Sequence, residues 1–492
     1  MSRLEEERQN RLKKLNDLIE SGINPYPASS KRSHTIHQVI GNIKNFLDSK
    51  KDLILVGRII SLRLHGKSTF LNIEDGTGSL QIFVKKDEVG SNDYELFKNN
   101  FDLGDFINVS GKLFTTKKGE TTLLVNNISI LSKALLPLPE KWHGLTDVEI
   151  RYRKRYLDLI ANKEVNDIFR KRSVIIKTIR DFMDQEGALE VETPVLQLIP
   201  GGANARPFIT HHNALDTDFY LRIAPELYLK RLIVGGIEKV YEISRCFRNE
   251  GIDKNHNPEF TQVEFYAAYW DYKKMMKFTE ELLEKVVLNI QGKLTFEYNN
   301  IEIDFTPPYQ VITFYDAFLK YTNINLNIIK DEELFKEAKK LKLEISKKDN
   351  KAKILDEIFK ELVRPNLIKP TFIIDHPVEL SPLAKKKVED KKYVERFQLV
   401  VAGTVELCNA FSELNNPIDQ LERFKNQEDM RKQGDEEAQR IDQDFITALE
   451  HGMPPTAGIG IGIDRLVALL TNSPNLKEVI IFPTLKPKND EK

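Results

Sequence analysis

The segment TAGIGIGIDRLVALL, residues 456–470, places glycine at every second position, with Gly458, Gly460 and Gly462 alternating with Ile459, Ile461 and Ile463. A period of two belongs to a strand, whose successive side chains face opposite ways. The isoleucines mark a face turned to a core. The glycines mark a bare face, against which a flat group or another backbone can lie. A dinucleotide-binding G-x-G-x-x-G loop is excluded. Started at Gly458 it needs glycine where Ile463 stands, and started at Gly460 it needs one at Arg465. Asp464 is placed to cap the apolar run that follows, which leaves Arg465 projecting at a strand-to-helix junction.

Two further stretches carry chemistry on alternating faces. In KVYEISRCFRNEGIDKNHNPEFTQVEFYAAY (239–269), Glu242, Ser244, Cys246, Arg248 and Glu250 share one face, and Tyr241, Ile243 and Phe247 the other. A polar loop from Gly251 to Pro258 leads to a second run with Gln262, Glu264 and Tyr266 on one face. This is an antiparallel hairpin with one apolar side and one side of Arg, Glu and Tyr. That side is either a salt-bridged surface or a site. In TVELCNAFSEL (404–414), Asn409, Phe411 and Glu413 share a face, whereas Glu406 has the opposite parity. Glu406 therefore serves a different site or lies across a bulge. Burying such an acidic row requires a positive partner, either a cationic ligand or a Lys or Arg of the protein.

A chain of 492 residues is long enough for two or three domains. Its formal net charge of −1 means that contact with nucleic acid must come from a local basic surface. Cys246 and Cys408 are too few for a disulfide framework or a four-ligand zinc site, and suit a reducing cytosol. The N-terminus lacks the apolar segment of a signal peptide, and no stretch approaches the roughly 20 apolar residues of a membrane helix. Residues 1–50 read as a helical extension, with Leu4, Leu12, Leu15, Leu18 and Ile19 at helical spacing and Gly22 and Pro25 as the stop. This helix either packs by one stripe or lays a basic face on nucleic acid. Residues 51–134 read as three strands, a helix and two strands, the order of an OB barrel, with a hairpin signal at Asp75–Gly78. Phe70, beside Lys67, is the candidate for stacking on a base, and Phe83, in an apolar run, is assigned to the core. Residues 135–150 form a proline-containing linker. Residues 151–492 form a mixed α and β domain with a lysine-rich helical insertion at about 315–370 that shows few signs of chemistry. Residues 171–186 predict a helix stopped by Gly187, and LEVETPVL then alternates like a strand.

The chemical segments resemble, in order, the three signature motifs of class II aminoacyl-tRNA synthetases. The helix and strand ending at Pro194 resemble the first, FRNEG…HNPEF the second and GIGIGIDR the third. The class I signatures HIGH and KMSKS are absent. The barrel is similar to that of the subgroup charging lysine, aspartate and asparagine. PLPEKWHGLTDVEIRYRKRYLDLI, GGANARPF, APELYLKRL and NAFSEL resemble its lysyl members. The resemblance spans nearly the whole chain. It implies an α+β fold: an N-terminal OB-fold β-barrel plus a class II synthetase catalytic domain, an antiparallel sheet flanked by helices. It implies activation of L-lysine by ATP to lysyl-adenylate and transfer to the 3′ end of a lysine tRNA, with Mg²⁺ as cofactor. It further implies a homodimer through the first-motif helix, and a cytoplasmic enzyme without membrane attachment.

The resemblance also implies roles. Arg248 would grip the α-phosphate and touch the lysine carboxylate. Arg465 would cover adenine and hold the γ-phosphate, with Phe260 stacked on the other face of the base. Glu250 and Asn257 would be adenine and ribose-side contacts, His256 a β/γ-phosphate contact, and Gly462 part of the ATP wall. Glu413 and Tyr266 would hold the ε-ammonium, Glu226 the α-amino group and Asn409 the carboxylate. Phe411 would pack on the side chain, with Gly202 and Glu264 completing the lysine pocket. Glu406 would be a metal ligand. The second glutamate usual seven residues before it falls on Leu399, with Gln398 beside it, so the spacing is one residue longer. Glu264 or Glu250, acting through water, are the alternatives. In the barrel, Phe70, Gln81 and Glu120 would read a U-rich anticodon. Two other readings are a nucleic-acid-binding regulator that keeps the fold, and a paralogue attaching a lysine-like group to protein. Such paralogues lack the barrel.

Overall fold

Alternating burial closes the first unit into a barrel. Leu53, Leu55 and Ile59 of β1 (Leu53–His65) point inward with Leu71 and Ile73 of β2 (Ser68–Asp75) and Ile82 and Val84 of β3 (Gly78–Lys85). Ile107 and Val109 of β4 (Phe106–Thr115) and Leu123 and Val125 of β5 (Thr121–Ser132) complete the lining. The strand order is β1-β2-β3-β5-β4, closed by β1 on β4. Helix α1 (Arg3–Glu20) is started by a Ser2–Glu5 capping box. Only Leu18 and Arg11 are buried on it, and Arg11 Nη1 donates to the carbonyl oxygens of Leu103, Ala134 and Leu136. Its apolar stripe is thus narrower than the spacing predicts, with Leu4 and Ile19 exposed. Helix α2 (Ser91–Asn100) adds Tyr94 and Phe97 to the barrel core. Phe83 corrects the sequence reading. Because Ile82 and Val84 take the inward parity, Phe83 faces out and stacks on Phe70, with ring centroids 4.1 Å apart.

This computed structural model describes residues 2–139, 145–343, 345, 350–435 and 437–488, in two units, Met1–Leu145 and Thr146–Lys492. Residues 140–144 of the expected linker lie outside the described residues.

The second unit is built on eight strands: β6 (Leu189–Glu190), β7 (Lys239–Phe247), β8 (Glu259–Ala268), β9 (Gln310–Thr313), β10 (Thr371–Pro377), β11 (Tyr393–Val401), β12 (Val405–Ser412) and β13 (Thr456–Gly462). Their order is β9-β10-β11-β12-β13-β8-β7-β6. The sheet is antiparallel except at its two ends, where β9 runs parallel to β10 and β6 to β7. It is therefore mixed rather than wholly antiparallel. Helices α3 (Lys163–Gln185), α5 (Tyr272–Gln291) and α6 (Ile463–Leu470) cover one face. Ile179, Phe278, Leu282 and Leu466 pack there with Phe265, Ile459 and Ile461. Helix α4 (Glu226–Val234) lies elsewhere in the unit, with Leu229 and Ile233 beside Tyr266 in a separate core cluster. The inserted helices Phe314–Thr322, Asp331–Lys340 and Lys351–Ile358 bury a cluster of their own.

Two local expectations change. LEVETPVL contributes only Leu189–Glu190 and Leu196–Gln197 to strands. Asp464 is not the cap: Gly462 occupies that position, and Asp464 sits in the first turn of α6. Its Oδ2 accepts from the Thr261 backbone N–H at 3.0 Å, and its Oδ1 pairs with Arg172 at 2.6 Å. It ties α6 to β8 and α3 rather than capping its own backbone.

The alternation in β13 is realised as read. Ile459 and Ile461 are buried, while Gly458 lies between Phe411 and Tyr266, Gly460 between Asn409 and Glu264, and Gly462 beside Gln262. A Cβ on Gly458 would stand 2.3 Å from Glu413 Oε1 and from Tyr266 Cε1, whereas one on Gly460 would meet only Glu264 Cγ at 3.7 Å. Gly458→Ala is accordingly expected to lower unfolding free energy by about 1–3 kcal/mol, and Gly460→Ala by less than about 1 kcal/mol, in urea titrations. Equal losses would remove the steric account.

Candidate active site

Above the glycine row lies a cavity of about 400 Å³. Gly458 to Gly462 spans about 13 Å of strand, and the charge lining the cavity changes sign along it.

The Gly458 end is acidic. Glu226, Glu264 and Glu413 are all buried there, with Tyr266 and Phe411. Tyr266 OH donates to Glu264 Oε2 at 2.9 Å, and Gln262 Nε2 donates to Glu264 Oε1 at 2.7 Å. Lys230, one turn along α4 from Glu226, is fully buried and bonds Glu226 at 2.5 Å. Its ammonium also pairs with Glu413 and lies 5.3 Å from the Phe411 ring centre. A protein lysine therefore partners the acidic row, one of the two options the sequence leaves open. It partners it incompletely, because three carboxylates face one ammonium. Gly202 has φ +88°, and a Cβ on it would meet Glu226 Cβ at 2.8 Å, so glycine lets its loop lie against Glu226.

The Gly462 end is cationic. Arg465 Nη1 donates to the backbone oxygen of Glu406 at 2.9 Å. The Arg248 guanidinium stands 5.0 Å from the Phe260 ring centre, with its Nε buried and without a hydrogen-bond partner. Arg396 of β11 stands farther along, opposite Phe411 at the register of Gly458, and donates to Asn409 Oδ1 at 2.8 Å. Glu250 and His256 are exposed at the mouth, and His256 Nδ1 lies 2.8 Å from Asp253. Asn257 is buried, its amide donating to Glu259 O at 2.6 Å and accepting from Thr484 N at 3.2 Å. The parity of Glu406 is resolved by a bulge: Leu399 pairs with Cys408 and Val400 with Glu406, which leaves Leu407 over. Glu406 thereby joins the face of Asn409, and its Oε2 pairs with Arg364 at 3.1 Å.

The cavity thus gathers Gly202, Glu226, Arg248, Glu250, His256, Asn257, Phe260, Glu264, Tyr266, Glu406, Asn409, Phe411, Gly462 and Arg465, with Glu413 against Gly458 at its edge. Sequence reasoning missed Lys230, Arg396 and Arg364. The spacing of four between Glu226 and Lys230 on a helix was the available signal for the first. In the barrel unit, Gln81 Nε2 donates to Glu120 at 2.8 Å and Gln81 Oε1 accepts from Thr122 at 2.7 Å, on the outer face that also carries the Phe70–Phe83 stack.

Comparison with known proteins agrees with this arrangement. Residues 147–486 match the family described as tRNA synthetases class II (D, K and N), and residues 53–131 match an OB-fold nucleic acid binding domain. The lysine–tRNA ligase of Pelotomaculum thermopropionicum is 52% identical over 97% of this chain and 94% of its own length. Those of Syntrophomonas wolfei and Thermoanaerobacter pseudethanolicus are 50% and 52% identical, each over 98% of this chain and 97% and 96% of their own.

The unmatched carboxylates have a pH signature. Burial, and then Glu226, push the Glu264 carboxyl up to about 8. Burial raises Glu226 and Glu413 as well. The folded chain holds the Glu264 proton over a range where the unfolded chain has lost it. The stability this group contributes is complete below its ordinary value of 4.5 and is lost as pH rises through about 8. In urea unfolding without ligand, the native protein should lose stability relative to Glu264→Gln as pH rises from about 5 to about 8. Parallel curves would contradict the assignment. Cys246 is pushed up to about 12, chiefly by burial and then by Glu264, so its thiol is no nucleophile here.

Proposed function

The chain belongs to the class II tRNA synthetases of the D, K and N group, and within that family we propose that it activates L-lysine with ATP and transfers it to the 3′ end of a lysine tRNA. The observation that carries the choice of amino acid is the charge count at the Gly458 end. Three buried carboxyl groups, Glu226, Glu264 and Glu413, face one buried ammonium, Lys230, and burial favours their protonated forms until a cation arrives to pair with them. Lysine brings two ammonium groups, and its carboxylate is left to the arginines. An aspartate side chain would add a further carboxylate to this end, at a cost of several kcal/mol.

In this reading Glu413 and Tyr266 hold the ε-ammonium, Glu226 the α-ammonium, and Phe411 packs on the methylenes between them. Asn409 and Arg248 orient the carboxylate. Adenine lies over the glycine row between Phe260 and Arg465, with Glu250 and Asn257 on its base and ribose side and His256 near the outer phosphates. A lysine carboxylate oxygen attacks the α-phosphorus and pyrophosphate leaves. The terminal tRNA hydroxyl then attacks the carbonyl carbon and AMP leaves. Arg248 and Arg465 stabilise charge gathering on the phosphates, so catalysis is positioning and electrostatics, with no covalent enzyme intermediate. Mg²⁺ enters as the ion the nucleotide carries. Glu406, already paired with Arg364, does not fit as half of a two-carboxylate site.

Phe70, Gln81 and Glu120 read the anticodon, supported by the outward aromatic stack beside a hydrogen-bonded Gln81–Glu120 pair. A homodimer is supported by exposed Val174 on α3 and by Leu189, Val195, Leu196 and Leu198 after it. No helix among the described residues is long and apolar enough to cross a membrane. The proposed activity and two unpaired cysteines fit the cytoplasm.

ATP–pyrophosphate exchange with each of the twenty amino acids tests the reading, and exchange that is absent or independent of lysine would overturn it. Glu413→Gln should raise the KM for lysine by about a hundredfold or more, equivalent to roughly 3 kcal/mol, with the KM for ATP changed far less. Phe70→Ala should slow tRNA charging about tenfold and spare exchange, since one lost base stack is worth ~1–3 kcal/mol. An equal loss in both assays would remove the barrel from tRNA recognition.

A further inference from the structure

A carboxylate that shares a divalent ion needs free lone pairs and a second acid beside it. Glu406 has neither. Its Oε2 is taken by Arg364, its Oε1 accepts from Asn409 Nδ2 and, at 3.5 Å, from Gln398 Nε2, and its backbone oxygen is taken by Arg465. The acid expected seven residues earlier is lacking. By the regular alternation of β11, Leu399 faces the core with Phe397 and Val401, and the neutral amide of Gln398 lies opposite Asn409. Among the described residues no group of three or more His, Cys, Asp or Glu side chains is arranged to hold a metal ion. Arg364 comes from the turn Arg364–Asn366 that closes the helical insertion, and its Nε is buried without a hydrogen-bond partner.

Resting on the reading of this cavity as an ATP site, we propose that the Arg364 guanidinium, held on Glu406, supplies the fixed positive charge that a second carboxylate and a shared divalent ion would otherwise bring to the phosphates. Arginine suits the place. It stays protonated, it can bond a carboxylate and a phosphate at once, and its planar fork is already oriented by Glu406. Gln398 follows from the same logic. A carboxylate there would compete for Arg364, whereas an amide donates to Glu406 and leaves the guanidinium on one partner. The metal at this site is then only the ion that arrives with the nucleotide.

The test counts metal on the full chain. With Mn²⁺ as probe, a non-hydrolysable ATP analogue and lysine, electron paramagnetic resonance should find one bound Mn²⁺ per nucleotide. Arg364→Glu combined with Gln398→Glu, which rebuilds a carboxylate pair, should bind more than one. In pyrophosphate exchange the native chain should saturate once Mg²⁺ equals ATP. Arg364→Gln should lose about tenfold or more in kcat, with the KM for lysine changed less than about twofold and no rescue by excess Mg²⁺. Two or more Mn²⁺ per nucleotide on the native chain would overturn the proposal, and so would an Arg364→Gln protein with native kcat. The native count needs no variant, so misfolding of a variant cannot obscure the result. If lysine supports no exchange but one Mn²⁺ is bound per nucleotide, the ligase reading falls and the role of Arg364 stands.

Discussion

The second unit depends on one strand having two unlike faces. Ile459 and Ile461 anchor β13 in the largest core cluster, and from Gly458 to Gly462 its other face carries no side chains. A central strand normally gains stability from side chains on both faces, and glycine forgoes that while costing backbone entropy. The flanking strands make up the difference, because β8 and β12 pair with β13 along its length. The neighbouring rows Gln262–Glu264–Tyr266 and Asn409–Phe411 then stand as two walls over a bare floor. The cavity lies over that gap in the sheet surface.

The walls are charged so that the empty pocket is strained in opposite senses at its two ends. Burial drives Glu226, Glu264 and Glu413 toward the protonated state and also pulls down the ordinary values of Arg396 and Arg465. Arg396, at the register of Phe411 and Gly458, reaches across and partly offsets Glu226. Lys230 relieves the acidic end in part and Glu406 the cationic end in part. A cation and an anion bound side by side would relieve both. The folded chain therefore holds carboxyl and guanidinium groups whose charged forms burial disfavours, set in place along one cavity.

Much of this was legible in sequence because a period of two is hard to mistake. The glycine strand, the 239–269 hairpin, the barrel order and the shared face of Asn409, Phe411 and Glu413 all follow from parity alone. The failures are equally physical. Phe83 sits in an apolar run that suggests the core, yet the alternation of Ile82 and Val84 puts it outside. Glu406 could not be assigned because a bulge is a property of pairing between two strands, and one strand's sequence does not contain it. Asp464 looked like a cap because its reach to Thr261 and Arg172 depends on tertiary packing. Arg364 was invisible for a related reason. It lies among lysine-rich helices that read as an insertion with few signs of chemistry, and only the fold of that insertion brings one turn back to β12.

That return changes what an insertion is for. The inserted helices bury their own cluster through Phe314, Phe318, Ile358 and Phe359, and that cluster reaches the sheet through Ile373 and Val400. Val400 is also the residue at which the bulge falls, opposite Glu406. The same packing that anchors the insertion thus fixes both the strand irregularity that turns Glu406 into the cavity and the turn that delivers Arg364 to it. A guanidinium held only by a surface pair would gain about 1 kcal/mol at most and would wander. Held between a packed turn and the carboxylate of Glu406, it is fixed behind a residue that lines the cavity, and the insertion is its support.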